Sequence, residues 1–172
     1  MRTQTLMTLT AACVLLYSTE ARLNQTHYEQ VPLEWVVQHS QHIVIARPEN
    51  PFMTREQMPI KTSKKGVPPF TRVQFHYTVL SELKGRRDWV GRSIAVDGND
   101  WRGQLSLHTR YYVEGVSKSP IEPEYDSSLK PGEKPREVIL FLRVTADGPQ
   151  LAVGNAMESI KQQDRITALI KP

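Results

Sequence analysis

The sequence has almost no cysteine: among its 172 residues Cys13 stands alone, inside the apolar run Leu6 to Tyr17. A chain cut after that run would hold no disulfide, no thiol nucleophile and no thiolate-bound zinc. Long hydrophobic stretches are missing too. The run at the N-terminus is shorter than the roughly 20 residues that span a bilayer, and no later segment is longer. No G-x-S-x-G elbow is present, and the nine glycines sit singly, so neither a hydrolase nucleophile turn nor a glycine-rich phosphate cradle is indicated. Self-similarity at periods of about 20 to 50 residues is absent, which argues against solenoids and propellers.

What is present at the start reads as a targeting segment. Arg2 supplies a positive charge, "LMTLTAACVLLY" an apolar stretch, and "STEA" the small residues for cleavage after Ala21. Residues 1–21 are therefore expected to be a signal peptide, and the mature protein to be exported, periplasmic or extracellular. Lipid attachment at Cys13 within "LTAAC" is the competing reading. The residues after Cys13 are more apolar than those before it, the reverse of the order such a signal needs. Asn24-Gln25-Thr26 is a glycosylation sequon, relevant only in a eukaryotic secretory route. Residues 22–172 suit one domain. Apolar residues at 39% and charged residues at 23% fit a globular chain.

Residues 32–40 read as a short helix, opened by Pro32 and carrying Leu33, Val36 and Val37 at helical spacing. "HIVIAR" follows as a buried strand. His39 then falls in a last helical turn, where a cation suits the dipole, and His42 opens the strand. Residues 48–70 contain five prolines and read as a long irregular connection. In "TRVQFHYTVLSEL", Val73, Phe75, Tyr77 and Val79 alternate with polar residues, which predicts a strand with one face buried. "SIAVDG" predicts a further strand with Ile94 and Val96 inward, closed by a turn at Asp97-Gly98. "RYYVEGV" is expected to be a fourth strand and 117–136 a second long loop. "EVILFLRV" has no polar break from Val138 to Leu142, the mark of a strand covered on both faces. Asp147-Gly148 should turn it back into "QLAVG". The tail "NAMESIKQQDRITALI" reads as one helix or two, with Asn155 and Glu158 at capping-box spacing and Asp164 able to cap a second.

These elements predict a mainly β, α+β domain: a small antiparallel OB-like barrel or curled sheet of five or six strands with a short helix at the N-terminus and another at the C-terminus. A helix-capped sandwich is the alternative. The helix leading into "HIVIARP", the strand ending in Leu83-Lys84-Gly85, the short "SIAV" strand and the late "VILFL" strand before a closing helix resemble the netrin-module or metalloprotease-inhibitor type of OB-like barrel. They resemble still more the exported, cysteine-free bacterial proteins built on that plan. The similarity covers roughly residues 32–170. Inhibitors of that family use an N-terminal cysteine on the protease zinc, which this mature chain lacks, so the resemblance implies a fold and carries over no inhibitory residue.

Candidate chemistry is sparse. His39 and His42 are three apart, but a helix-to-strand change would separate them, and His27, His76 and His108 could join them only through folding. "DGND", residues 97–100, offers ligands for a hard cation yet lacks the alternation and distal glutamate of an EF-hand, and a turn explains it without metal. No cofactor is indicated. Charge is more informative. Between Arg55 and Arg92 nine basic residues stand against three acidic ones, a local balance of +6. Lys84, Arg86, Arg87 and Arg92 surround Trp89, with Trp101 close in sequence. That combination predicts a binding surface for an anionic partner: a protein, a glycan or a cell-envelope polymer. Export argues against nucleic acid, although basic grooves with aromatic platforms do bind it. The expected function is a non-enzymatic exported interaction module, with a metal-assisted extracytoplasmic hydrolase using histidines gathered by the fold as the rival.

Overall fold

A computed structural model describes residues 28–98, 100–116, 122–129 and 135–170. The expected signal segment, Cys13, the sequon and His27 lie outside the described residues. The described residues are mainly β with three α-helices, an α+β fold.

Helix α1, Leu33–His39, begins one residue later than the sequence suggested. Pro32 is extended and caps it, leaving Leu33, Val36 and Val37 to bury one face. Ser40 ends it by donating its hydroxyl to Val36 O at 2.6 Å. Before α1 lies strand β1, Tyr28–Val31, and after it strand β2, His42–Met58. Only Ile43, Val44, Ile45 and Ala46 of β2 are buried.

The irregular connection expected at 48–70 is therefore shorter than predicted. Residues 48–58 continue β2 and pair with strand β3, Phe70–Lys84, from Pro48↔Tyr77 and then Met53↔Phe75 to Met58↔Phe70. The prolines are tolerated because Pro51 sits in the register shift between Pro48 and Met53, where the ladder asks nothing of its missing N–H. Strand β4, Ser93–Asp97, pairs with β3 and points Ile94 and Val96 inward as expected.

After β4 the fold departs from the prediction. "RYYVEGV" is not a strand. Residues 101–114 form helix α2, Trp101–Thr109, continued by a wider π-helical turn, Arg110–Glu114. Asp100 caps α2 by accepting from Gly103 N, Arg110 and Glu114 pair at i,i+4, and Gly115 closes the turn with φ +73°. Alternation over a few residues could not reveal these end signals. The second predicted loop likewise contains a strand, β5, Glu122–Tyr125, parallel to β1.

Strand β6, Val138–Thr145, is the centre of the molecule. Val138 through Leu142 are at most 2% exposed. It pairs with β2, with β7 (Gly148–Leu151) and with β8 (Met157–Ser159). The capping box expected at Asn155 and Glu158 is replaced by β8, since Asn155 adopts φ +55° and Glu158 turns inward. The buried Glu158 carboxylate accepts from Tyr125 OH at 2.5 Å, Ser128 N at 3.2 Å and the Ser128 hydroxyl, which holds the segment after β5 in place. A 3-10 turn, Ile160–Gln162, leads into one terminal helix, α3, Gln163–Ile170, with Ile166 buried. Asp164 lies in its first turn rather than at a separate cap.

The main sheet has six strands in the order β2-β3-β4-β7-β6-β8, and β6 also pairs with β2. It is mixed rather than antiparallel, because Asp97 of β4 meets Gln150 of β7 in a parallel sense. No helix among the described residues is long and apolar enough to cross a membrane.

Candidate functional site

The turn between β3 and β4, residues 85–92, is built on a buried polar pair. His42 Nδ1 lies 2.5 Å from Glu82 Oε1, and the Glu82 side chain is fully buried. An ionised carboxylate only accepts, so His42 Nδ1 is the donor in this bond. Trp89 stacks on the His42 ring with centroids 4.1 Å apart and planes 16° from parallel. Gly91 N donates to Val79 O at 2.8 Å, Val79 N to Arg92 O at 2.9 Å, and Arg92 N to Trp89 O at 2.9 Å. The turn is thus fixed by its backbone and by an aromatic lid over a hydrogen-bonded pair. Gly85 is required where it stands: its φ is +131°, and a Cβ there would lie 1.9 Å from Glu82 Oε1.

This frame sorts the six predicted site residues. Arg86, Arg87 and Arg92 are exposed, and their side chains have no partner among the described residues. Asp88 is exposed beside them. Lys84 is already used: its Nζ donates to Val37 O at 2.8 Å and Gln38 O at 3.3 Å, tying down the C-terminal carbonyls of α1. Burial holds its ammonium below the usual lysine range. Trp89 is half-buried as the lid on His42. Trp101 is not part of the cluster. It follows the far end of β4, about 16 Å along a five-residue strand from the turn that holds Trp89.

At that far end Trp101 is 8% exposed and packs under two guanidinium groups, Arg72 at 4.5 Å and Arg102 at 4.8 Å. Arg72 donates to both carboxylate oxygens of Asp97, at 2.9 and 2.7 Å, and Arg102 to both of Asp147, at 2.5 and 2.6 Å. The Arg102 bonds hold the Asp147 carboxyl below its usual range. Two acids of "DGND" therefore have structural work, Asp97 as a buried ion-pair partner and Asp100 as a helix cap.

The described histidines are separated by their partners. His39 Nδ1 lies 2.8 Å from Trp35 O, His76 Nε2 2.9 Å from Thr54 Oγ1, and His108 Nε2 2.9 Å from Pro68 O. Among the described residues no three His, Cys, Asp or Glu groups gather where they could hold a metal ion. His39 ends α1 and His42 opens β2, as the sequence indicated. What the sequence did not single out is Glu82. A register shift between Ile45 and Ala46, opposite Ser81 and Val79, breaks the alternation that runs through Tyr77 and Val79 and leaves Glu82 rather than Ser81 in step with them, which the sequence of β3 gives no sign of. Comparison with family models, curated proteins and solved structures finds no match to this chain.

Proposed function

We propose that the protein is an exported, non-enzymatic interaction module that engages an anionic partner through Arg86, Arg87 and Arg92. The observation that carries this reading is the contrast among arginines. Arg47, Arg72, Arg102, Arg110 and Arg165 each face a carboxylate at 2.5 to 3.8 Å; Arg55, Arg136 and Arg143, like the three on the turn, face none among the described residues, but only Arg86, Arg87 and Arg92 share one short turn. A guanidinium is a planar fork suited to carboxylate, phosphate or sulfate, and three on a fixed turn lose little freedom on binding. Export rests on the N-terminal segment of the sequence. The proposed scaffold is an OB-like barrel, supported by the circuit of pairings from β2 through β3, β4, β7 and β6 back to β2. The metal-assisted hydrolase remains the rival class, but it calls for a ligand cluster of a kind not found among the described residues.

The test uses an immobilised sulfated polysaccharide as a generic polyanion. The double reversal Arg86→Glu/Arg87→Glu should keep its melting temperature and elute at markedly lower salt. Lys61→Glu/Lys65→Glu, which reverses exposed charge elsewhere in the basic segment, should elute nearer to the wild type. Equal elution of the wild type and the turn variant would leave the three arginines as a solvated face.

A further inference from the structure

Away from the arginine turn, two cavities adjoin beside α2. The first, about 370 Å³, lies between the start of β3, the end of β4 and the β7–β8 connection. Phe70, Phe75 and Trp101 form its apolar walls, and Arg72, Asp97 and Asn155 its polar ones. The second, about 430 Å³, is lined by Trp35 and Leu107 together with Arg143, Asp100 and Ser106. Both volumes lie in the range of ligand pockets. Gln104 and Gly154 line both cavities, so the divide between them is one amide side chain and one residue with no side chain.

We infer that these cavities form one groove for a neutral, linear oligosaccharide. Two pockets in tandem suit a ligand made of repeated units. Phe70 and Phe75 in one and Trp35 in the other set aromatic surface beside planar polar groups, while Trp101 lies beneath the Arg72 and Arg102 guanidinium groups; the C–H face of a sugar ring meets the negative face of an aromatic ring while its hydroxyls both donate and accept. Five charged side chains line the two cavities: Arg72 pairs with Asp97, Asp100 caps α2, Glu124 accepts from the Asn155 amide, and Arg143 has no carboxylate partner among the described residues. Two cations against three carboxylates nearly cancel, so the groove carries little net charge to attract an ion. A peptide adding as a strand is disfavoured because the backbone at the divide is in use, Gly154 N donating to Pro123 O and Gly154 O accepting from Tyr125 N. The groove does not involve the arginine turn, so either assignment can fail alone.

The experiment titrates the full-length mature protein with linear glucose and N-acetylglucosamine oligomers of two to five rings, by calorimetry and by tryptophan emission. Trp101 and Trp35 line one cavity each and report occupancy. Four rings should bind at least about tenfold more tightly than two in one series, with little change as salt is raised. The Arg86→Glu/Arg87→Glu variant should bind them like the wild type. Gly154→Val should reduce four-ring affinity to the two-ring level. A Cβ at Gly154 meets only ordinary contacts, 3.6 Å and beyond, so the variant should fold. If circular dichroism shows that it does not, Gly154→Ala places a smaller obstruction at the same point and should lower four-ring affinity while leaving two-ring affinity unchanged. No binding of any neutral oligomer at millimolar concentration overturns the inference. So does affinity that does not depend on length, or a groove that takes only a lysine-rich peptide.

Discussion

His42 Nδ1 meets Glu82 Oε1 at 2.5 Å, and the Glu82 side chain is fully buried while His42 keeps a solvent-facing edge. The second carboxylate oxygen, Oε2, has no hydrogen-bond partner among the described residues. A buried carboxylate with one strong partner depends on that partner heavily. The pair fastens β2 to β3 below the turn, and Trp89 rests on it.

His42→Ala should therefore cost about 3 to 5 kcal/mol, since it strands a buried carboxylate. Glu82→Gln, which keeps the shape and removes the charge, should cost less. Urea unfolding gives both values. The emission of Trp89 should move to the red in His42→Ala as its stacked ring disappears. Equal and small losses in both variants would mean that the pair does not hold the turn.

Gly85→Ala tests the same frame from above. The new Cβ would fall 1.9 Å from Glu82 Oε1 and 2.5 Å from His42 Nδ1, at a φ of +131° that side chains avoid. A destabilisation above about 2 kcal/mol is expected, and the variant should elute earlier from the polyanion matrix although no arginine has changed. Retained affinity in a destabilised protein would show that the arginines act without a fixed turn.

Phe141→Ala probes the core. Phe141 is fully buried in β6, hydrogen-bonded through its backbone to Ala156 and Ala152 and edge-on to Tyr125 at 6.1 Å. The expected loss is about 3 to 5 kcal/mol by denaturant unfolding. A loss under about 1 kcal/mol would place β6 outside the core.

Continuous apolar runs and clear alternation were legible. Val138 to Leu142, Ile43 to Ala46, and the Tyr77 and Val79 side of β3 all face the core as their patterns require. Long-range register was not. The shift that turns Glu82 inward depends on how β2 meets β3, and the parallel contact of Asp97 with Gln150 joins residues distant in sequence. Helix α2 was hidden for a different reason: its apolar face is weak, and its signals are the Asp100 cap, the Arg110 and Glu114 spacing, and Gly115. Trp101 followed Trp89 closely enough in sequence to suggest one surface, but β4 carries it to the other end of the sheet.

Alkaline stability depends on a buried phenol in β3. Tyr77 is 3% exposed, and burial pushes its hydroxyl up to about 12 from an ordinary value near 10. Burial also raises Tyr125, helped by its bond to Glu158. A raised value means that the fold favours the neutral phenol. The stabilisation is then fully present below about pH 10, and is lost as pH rises through the folded-state value near 12. A shift of about two units corresponds to roughly 3 kcal/mol for Tyr77. Urea unfolding at a series of pH values from about 8 to 12, for the wild type and Tyr77→Phe, isolates this residue because Tyr125 is common to both. Wild-type stability should fall more steeply above pH 10 than that of the variant, and absorbance at 295 nm should show one slow-rising phenol fewer in Tyr77→Phe. Parallel stability curves would mean that Tyr77 ionises as freely in the fold as in the unfolded chain, and that the β3 face it occupies is open to water.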